Sequence, residues 1–250
     1  MSGGTRNEKR RQQEARAARL AAAGITVPES RFDRQRVPII AAAVVLVLAV
    51  VLAGGWYLLS SRAVTPTYTA TASGAVITAG SGPVVIDVYE DFLCPGCRAL
   101  ENRDGDKIVA ALNDGRVTVK YHVLGLLDAR TKPAGYSTRA ADAALCAAAA
   151  GIFPAYHEKL FAQQPPEGGA GLTDEQLVAF GTELGAGGDF ATCVQGTTHD
   201  AAITKETESA AASAALKNPQ GAFGTPTVAI GGKRVDINSS SWLDDAVAGK

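Results

Sequence analysis

Val84-Val85-Ile86-Asp87-Val88-Tyr89 runs through Glu90-Asp91-Phe92-Leu93 into Cys94-Pro95-Gly96-Cys97, and Arg98–Leu112 follows with Leu100, Ile108 and Leu112 at helical spacing. The continuous β-branched run predicts a strand buried on both faces. Val117–Leu124, apolar at 117, 119, 121 and 123, predicts a second strand. Strand, helix and strand in this order imply a right-handed parallel βαβ unit, with a C-x-x-C at the mouth of its helix. That placement carries chemistry. A helix N-terminus presents unsatisfied N–H groups and a partial positive charge of about +0.5, which stabilises the thiolate that attacks in disulfide exchange. Cys94 is therefore read as the exposed nucleophile, and Cys97, three residues on, as the shielded thiol that resolves a mixed disulfide. Pro95 and Gly96 bring no charge, so any lowering of the Cys94 pKa is expected to come largely from the helix and the backbone.

The composition looks uninformative at first: 24 Lys and Arg against 25 Asp and Glu, and 46% hydrophobic residues that lean on alanine. The charge is unevenly spread. Residues 1–36 hold nine basic residues and four acidic ones, whereas residues 63–250 hold 14 basic and 21 acidic. The acidic excess of the larger part argues against a nucleic-acid partner. Between them, Val37–Leu59 is 23 residues without a charge. A helix of that length reaches roughly 34 Å at 1.5 Å per residue, enough for a hydrocarbon core of about 30 Å. Trp56 and Tyr57 lie near its far end, where such rings favour the headgroup level. The segment reads as a transmembrane signal-anchor in the lipid bilayer of the cell membrane. After Arg62 the next basic residue is Arg98, so the positive-inside rule keeps residues 1–36 cytoplasmic and sends the rest outside. Ser61-Arg62-Ala63 offers a small-x-small cleavage site, but the apolar run and the basic arm are both too long for a signal peptide. Arg10-Arg11 precedes no apolar run, which counts against a twin-arginine signal. The arm from Arg6 to about Ala23 reads as a short polar helix or a disordered tail.

Residues 60–82 read as a linker ending in a short strand around Ala75–Thr78. The middle of the chain reads as helical: 140–150, 154–163, then a helix opened by Thr173-Asp174-Glu175-Gln176, whose spacing is a capping box. A short turn of helix and a longer helix follow within 189–217. Strands are expected at Thr227–Ile230 and Arg234–Ile237 across a Gly231-Gly232 turn, and a last helix at 241–248.

All four cysteines fall in the outer part, which suits an oxidising compartment. C-x-x-C is also half a zinc site that Cys146 and Cys193 could complete. Zinc sites usually gather a second C-x₂-C, however, and here 48 residues lie between Cys97 and Cys146. Cys146 and Cys193 read instead as a structural disulfide between the helix near 146 and the segment near 193, on the order of 3–4 kcal/mol in the chain-entropy treatment. No metal or cofactor is called for. The three histidines (His122, His157, His199) are scattered and read as structural or exposed.

The stretch from Val85 to Cys97, followed much later by Gly224-Thr225-Pro226-Thr227, resembles the DsbA-like thioredoxin-fold proteins, most of all the membrane-anchored, extracytoplasmic type of actinobacteria. The resemblance covers about residues 68–248, and Tyr156-His157-Glu158-x-Leu160-Phe161 is similar to a family element. It implies an α/β thioredoxin fold over residues 83–250, carrying a helical insertion at about 130–217 and preceded by the single transmembrane helix. Pro226 would be the cis-proline facing the active-site disulfide. Thr225, Pro95 and Gly96 would line the same surface, and the backbone beside Pro226 would hold an extended substrate chain. The Cys146–Cys193 pairing also matches the anchored type.

The activity implied is thiol–disulfide exchange on exported, cysteine-containing proteins. Reoxidation would fall to a membrane partner of the DsbB or vitamin K epoxide reductase type. A reductase or isomerase on the same fold, for example in cytochrome c maturation, stays open, as does a non-catalytic binding domain. Two departures stand out. The acid that many relatives carry six residues before the first cysteine is Val88 here, with Asp87 and Glu90 as nearby candidates for a proton relay. The dipeptide is Pro-Gly, not the Pro-His of strong oxidases.

Overall fold

The computed structural model describes residues 4–24 and 64–248. The chain divides into two units, residues 1–62 and 63–250. In the first, a polar helix α1 (Gly4–Ala22) is closed by Gly24 in the left-handed region, the helical alternative for the arm. The expected transmembrane stretch 37–59 lies outside the described residues. Among those described, no helix is long and apolar enough to cross a membrane.

The second unit is built on one six-stranded sheet, β1 (Ala70–Ser73), β2 (Val76–Gly80), β3 (Val84–Glu90), β4 (Val117–Val123), β5 (Thr227–Ile230) and β6 (Lys233–Arg234), in the order β1-β2-β4-β3-β5-β6. Only β3 and β4 run parallel, and α2 (Pro95–Asn113) makes the crossover between them, the expected βαβ unit. Every other pairing is antiparallel. Between β4 and β5 the chain forms α3 (Tyr136–Ala149), α4 (Phe153–Ala162), α5 (Asp174–Glu183), α6 (Gly188–Gln195) and α7 (Asp200–Ala212), and it closes with α8 (Trp242–Val247).

The side-chain period of two divides β3 cleanly. Ile86, Val88 and Glu90 turn to the main core, whereas Val85, Asp87 and Tyr89 take the opposite face. Along β4, Tyr121 sits beside Val88 and His122 beside Tyr89. The main core gathers Phe92, Leu100, Ile108, Tyr121, Phe153 and Leu160 with their neighbours. A smaller cluster of Leu124, Ala210, Leu216 and Ala229 lies against Tyr89 and Phe223. The capping box at α5 is present: Thr173 Oγ1 accepts from Gln176 N–H, and Gln176 Oε1 accepts from Thr173 N–H.

Two expectations shift. The linker ends in a hairpin of two strands, because Thr and Ala alternating over 70–73 form an edge strand that carries little apolar signal. The strand expected at Arg234–Ile237 shrinks to Lys233–Arg234. Gly231 and Gly232 both take positive φ (57° and 73°) and make the tight turn, but beyond Arg234 only Val235 N–H still bonds back to Val228 O. Asp236 then turns the chain by accepting from Asn238 N–H.

Candidate active site

Cys94 is the N-cap of α2, and Pro95 is its first residue, where a missing N–H costs nothing. The turn before it is set by Asp91: its backbone O accepts from Cys94 N–H at 2.9 Å, and its Oδ1 accepts from Leu93 N–H at 2.8 Å. Asp91 Oδ2 also accepts from Leu127 N–H at 2.9 Å, tying this turn to the segment after β4. Facing the turn is the Gly224–Thr227 loop, in which the Thr225–Pro226 bond is cis, as the resemblance implied. The Cys94 thiol donates to Thr225 O at 3.1 Å. A Cβ on Gly96 would sit 2.9 Å from Pro226 Cδ, so the glycine is what lets the two loops close on one another. Cys94, Pro95, Gly96, Cys97, Thr225 and Pro226 thus form one surface.

Cys94 is more covered than expected, 7% exposed against 3% for Cys97, because the Thr225–Pro226 loop lies across it. Chemistry separates the two sulfurs more than exposure does. Both are free thiols. The Cys94 thiol is lowered to about 6, first by the Cys97 thiol, which donates to it, and against burial, which opposes the charge. The Thr225 side chain and then the N–H groups of Cys97 and Gly96 add to this lowering. The backbone is therefore a lesser contributor than the sequence suggested. The Thr225 hydroxyl is buried and has no partner in the dithiol form, which leaves it free to turn to an anionic sulfur. Cys97 is pushed well up by burial and by donating to Cys94. One thiolate is favoured and its neighbour is kept protonated.

The two candidate relay acids part company. Glu90 is buried (4% exposed) and its Oε1 lies 2.8 Å from His157 Nε2; its charge is felt at Cys97. Asp87, on the other face of β3, lies 3.1 Å from His122 Nε2, whose Nδ1 is 2.7 Å from Glu206 on α7. The histidines are thus all paired with carboxylates, His199 with Asp142 at 2.9 Å. His157 is enclosed by Phe92, Tyr121, Phe153 and Phe161. Burial opposes its charge, yet Glu90 and Glu101, the latter 3.9 Å from Nδ1, raise it to about 9. His157 and Glu101 also line a cavity of about 260 Å³ between α2, α4 and Tyr68.

This pair has a pH signature. His157 is raised on folding, so its contribution is fully present below its ordinary value of 6.5 and is lost as pH rises through about 9. Denaturant unfolding of wild type and Glu90→Gln should therefore show a stability gap that narrows between neutral and strongly alkaline pH. A gap of constant size would contradict the ion pair.

Asp91 escaped the sequence reading. It is fully buried, and burial raises it to about 7 against the two amide donors, Leu93 and Leu127, with the Cys94 thiolate adding to the rise. Away from the active-site turn, Cys146 and Cys193 are joined, with Cα atoms 5.9 Å apart, linking α3 to α6. Their sulfurs lie close to His199, but as a disulfide neither offers a thiolate to a metal, and the Cys₄ alternative falls away.

A strand-led dithiol at a helix N-terminus, held under a cis-proline loop, is the constellation of a thiol–disulfide oxidoreductase. A family model described as Thioredoxin matches residues 71–247, and the chain belongs to that family. The solved structure of the MdbA protein, a thiol-disulfide oxidoreductase from Corynebacterium diphtheriae, superposes with a TM-score of 0.61 at 22% identity, covering 75% of this chain and 97% of that one. Reduced DsbA from Mycobacterium tuberculosis gives a TM-score of 0.57 at 26% identity over 73% of this chain and 91% of its own. This chain shares the DsbA-like fold of these structures. It is also 29% identical over 177 residues to the serine/threonine-protein kinase PknE of M. tuberculosis, a match covering 68% of this chain. The chain spans only 31% of that kinase's length.

Proposed function

We propose that this protein is an oxidant that introduces disulfides into exported, cysteine-containing proteins. The supporting observation is the split between the two thiols: Cys94 lowered to about 6 and Cys97 pushed up. Whatever stabilises the Cys94 thiolate stabilises the dithiol form over the disulfide, and a pair whose reduced form is favoured is a stronger oxidant. In the reaction, a substrate thiolate attacks Cys94 Sγ of the Cys94–Cys97 disulfide, and Cys97 leaves and takes up a proton. We assign the supply of that proton to Glu90, backed by His157, because its charge is felt at Cys97. The substrate's second thiolate then attacks its own sulfur in the mixed disulfide, and Cys94 leaves as the stabilised thiolate. The substrate has lost two electrons and two protons; the protein holds Cys97 as a thiol and Cys94 as a thiolate, and the balancing proton goes to solvent. Asp87, paired with His122 on the other face, takes no part.

The disposition read from the sequence fits this use: residues 1–36 inside, 37–59 through the bilayer, and the domain from 83 onward outside, where disulfides persist. A membrane reoxidase of the DsbB or vitamin K epoxide reductase type would return Cys94 and Cys97 to the disulfide. Equilibration with glutathione redox buffers tests the direction. A potential near about −120 mV is the expected result, and one near about −270 mV would make the protein a reductant instead.

A further inference from the structure

Gln164 lies just past α4, in the helical insertion and outside the sheet that carries the cysteines. Its side-chain nitrogen donates to two backbone carbonyls, Phe92 O at 2.9 Å and Cys94 O at 3.0 Å. Because both partners are acceptors only, the orientation of the amide is fixed: the NH₂ must face them. The Cys94 carbonyl is already the acceptor for Cys97 N–H at 3.1 Å and Arg98 N–H at 3.2 Å, the first bonds of α2. Gln164 therefore meets the oxygen that begins the active-site helix, on the residue that bears the nucleophilic sulfur.

We propose that Gln164 is a positioning residue for Cys94: it fastens the Phe92–Cys94 turn to the insertion, and its donors offset the negative end of the Cys94 carbonyl dipole beside the sulfur. This rests on the redox reading given above. Removing the amide leaves that dipole less compensated and the turn held from one side, by Asp91, so the thiolate becomes less favourable. A glutamate at 164 goes further. It places an acceptor against two acceptors and adds a negative charge near a developing one.

The test is the pH dependence of Cys94 alkylation by iodoacetamide in the full-length reduced protein, for wild type, Gln164→Ala and Gln164→Glu. Gln164 is only partly buried, and circular dichroism with thermal unfolding checks that both variants fold. The wild-type midpoint should lie near 6. Gln164→Ala is expected to move it up by about half a unit, slowing alkylation below the midpoint about threefold, and Gln164→Glu to move it further. Variants that keep the wild-type midpoint, whether or not they lose thermal stability, would overturn the inference and leave the redox reading standing. A wild-type Cys94 that fails to react below neutral pH would sink the redox reading itself, and this inference with it.

Discussion

Replacing Cys94 by serine should reduce the oxidation of a reduced, disulfide-requiring substrate to the uncatalysed rate, because the hydroxyl is neither an electrophilic disulfide partner nor a competent leaving group. Cys97→Ser should behave differently. The serine hydroxyl can still donate to Cys94, the largest contributor to its lowered pKa, so Cys94 should stay reactive to alkylation under mildly acidic conditions. Turnover should nevertheless stop, because Cys94 alone cannot form the intramolecular disulfide that a substrate thiolate attacks, and mixed disulfides of Cys94 with partners that carry no second thiol should persist. Stopped-flow oxidation, together with mass spectrometry of trapped adducts, reads both. Equal turnover in wild type and Cys94→Ser would refute the assignment of the nucleophile.

The second large effect is on stability. The Cys146–Cys193 bond closes a loop with a sequence separation of 47 residues. In the chain-entropy treatment such a closure is worth about 4 kcal/mol. The Cys146→Ser, Cys193→Ser double variant is therefore expected to unfold at lower denaturant by that amount, and to melt on the order of 10 °C lower for a domain of this size. The loss should concentrate in α3 and α6, which the bond joins. A double variant within 1 kcal/mol of wild type would show that packing of α3 holds this region without the bond.

What could be read in advance was local. The β3 strand announced itself as an unbroken β-branched run, α2 as the continuation of a C-x-x-C, and the start of α5 as a capping box of four consecutive residues. In each case the signal itself spans only a few consecutive residues, even where, as for β3, the partner strands are remote. What escaped was assembled from afar. Glu90 and His157 are 67 residues apart, and Gln164 is 70 from Cys94. No spacing rule connects them. Asp91 was hidden for a related reason. Strand alternation predicts that the residue after a buried Glu90 faces outward, but β3 ends at Glu90, and the turn into Cys94 buries the second acid as well. The edge strand at 70–73 went unseen because Thr and Ala mark neither face. The cis bond at Lys132–Pro133 had no local signature either.

The close approach of Gly96 to Pro226 Cδ bears on how this site could be tuned. In a redox pair of this type the two residues between the cysteines are the obvious place to adjust driving force, since they sit beside the sulfur without being consumed. Here that adjustment is blocked at the second of them. A side chain of any size at 96 would meet a rigid proline ring within 2.9 Å, and the loop that covers Cys94 would have to move. A histidine at this position would therefore not be a simple electronic substitution, because it would push the Thr225–Pro226 loop away from Cys94. The freedom to shift the redox potential of the Cys94–Cys97 pair lies around it: in the Thr225 hydroxyl, in Asp91 beneath the turn, and in the amide of Gln164.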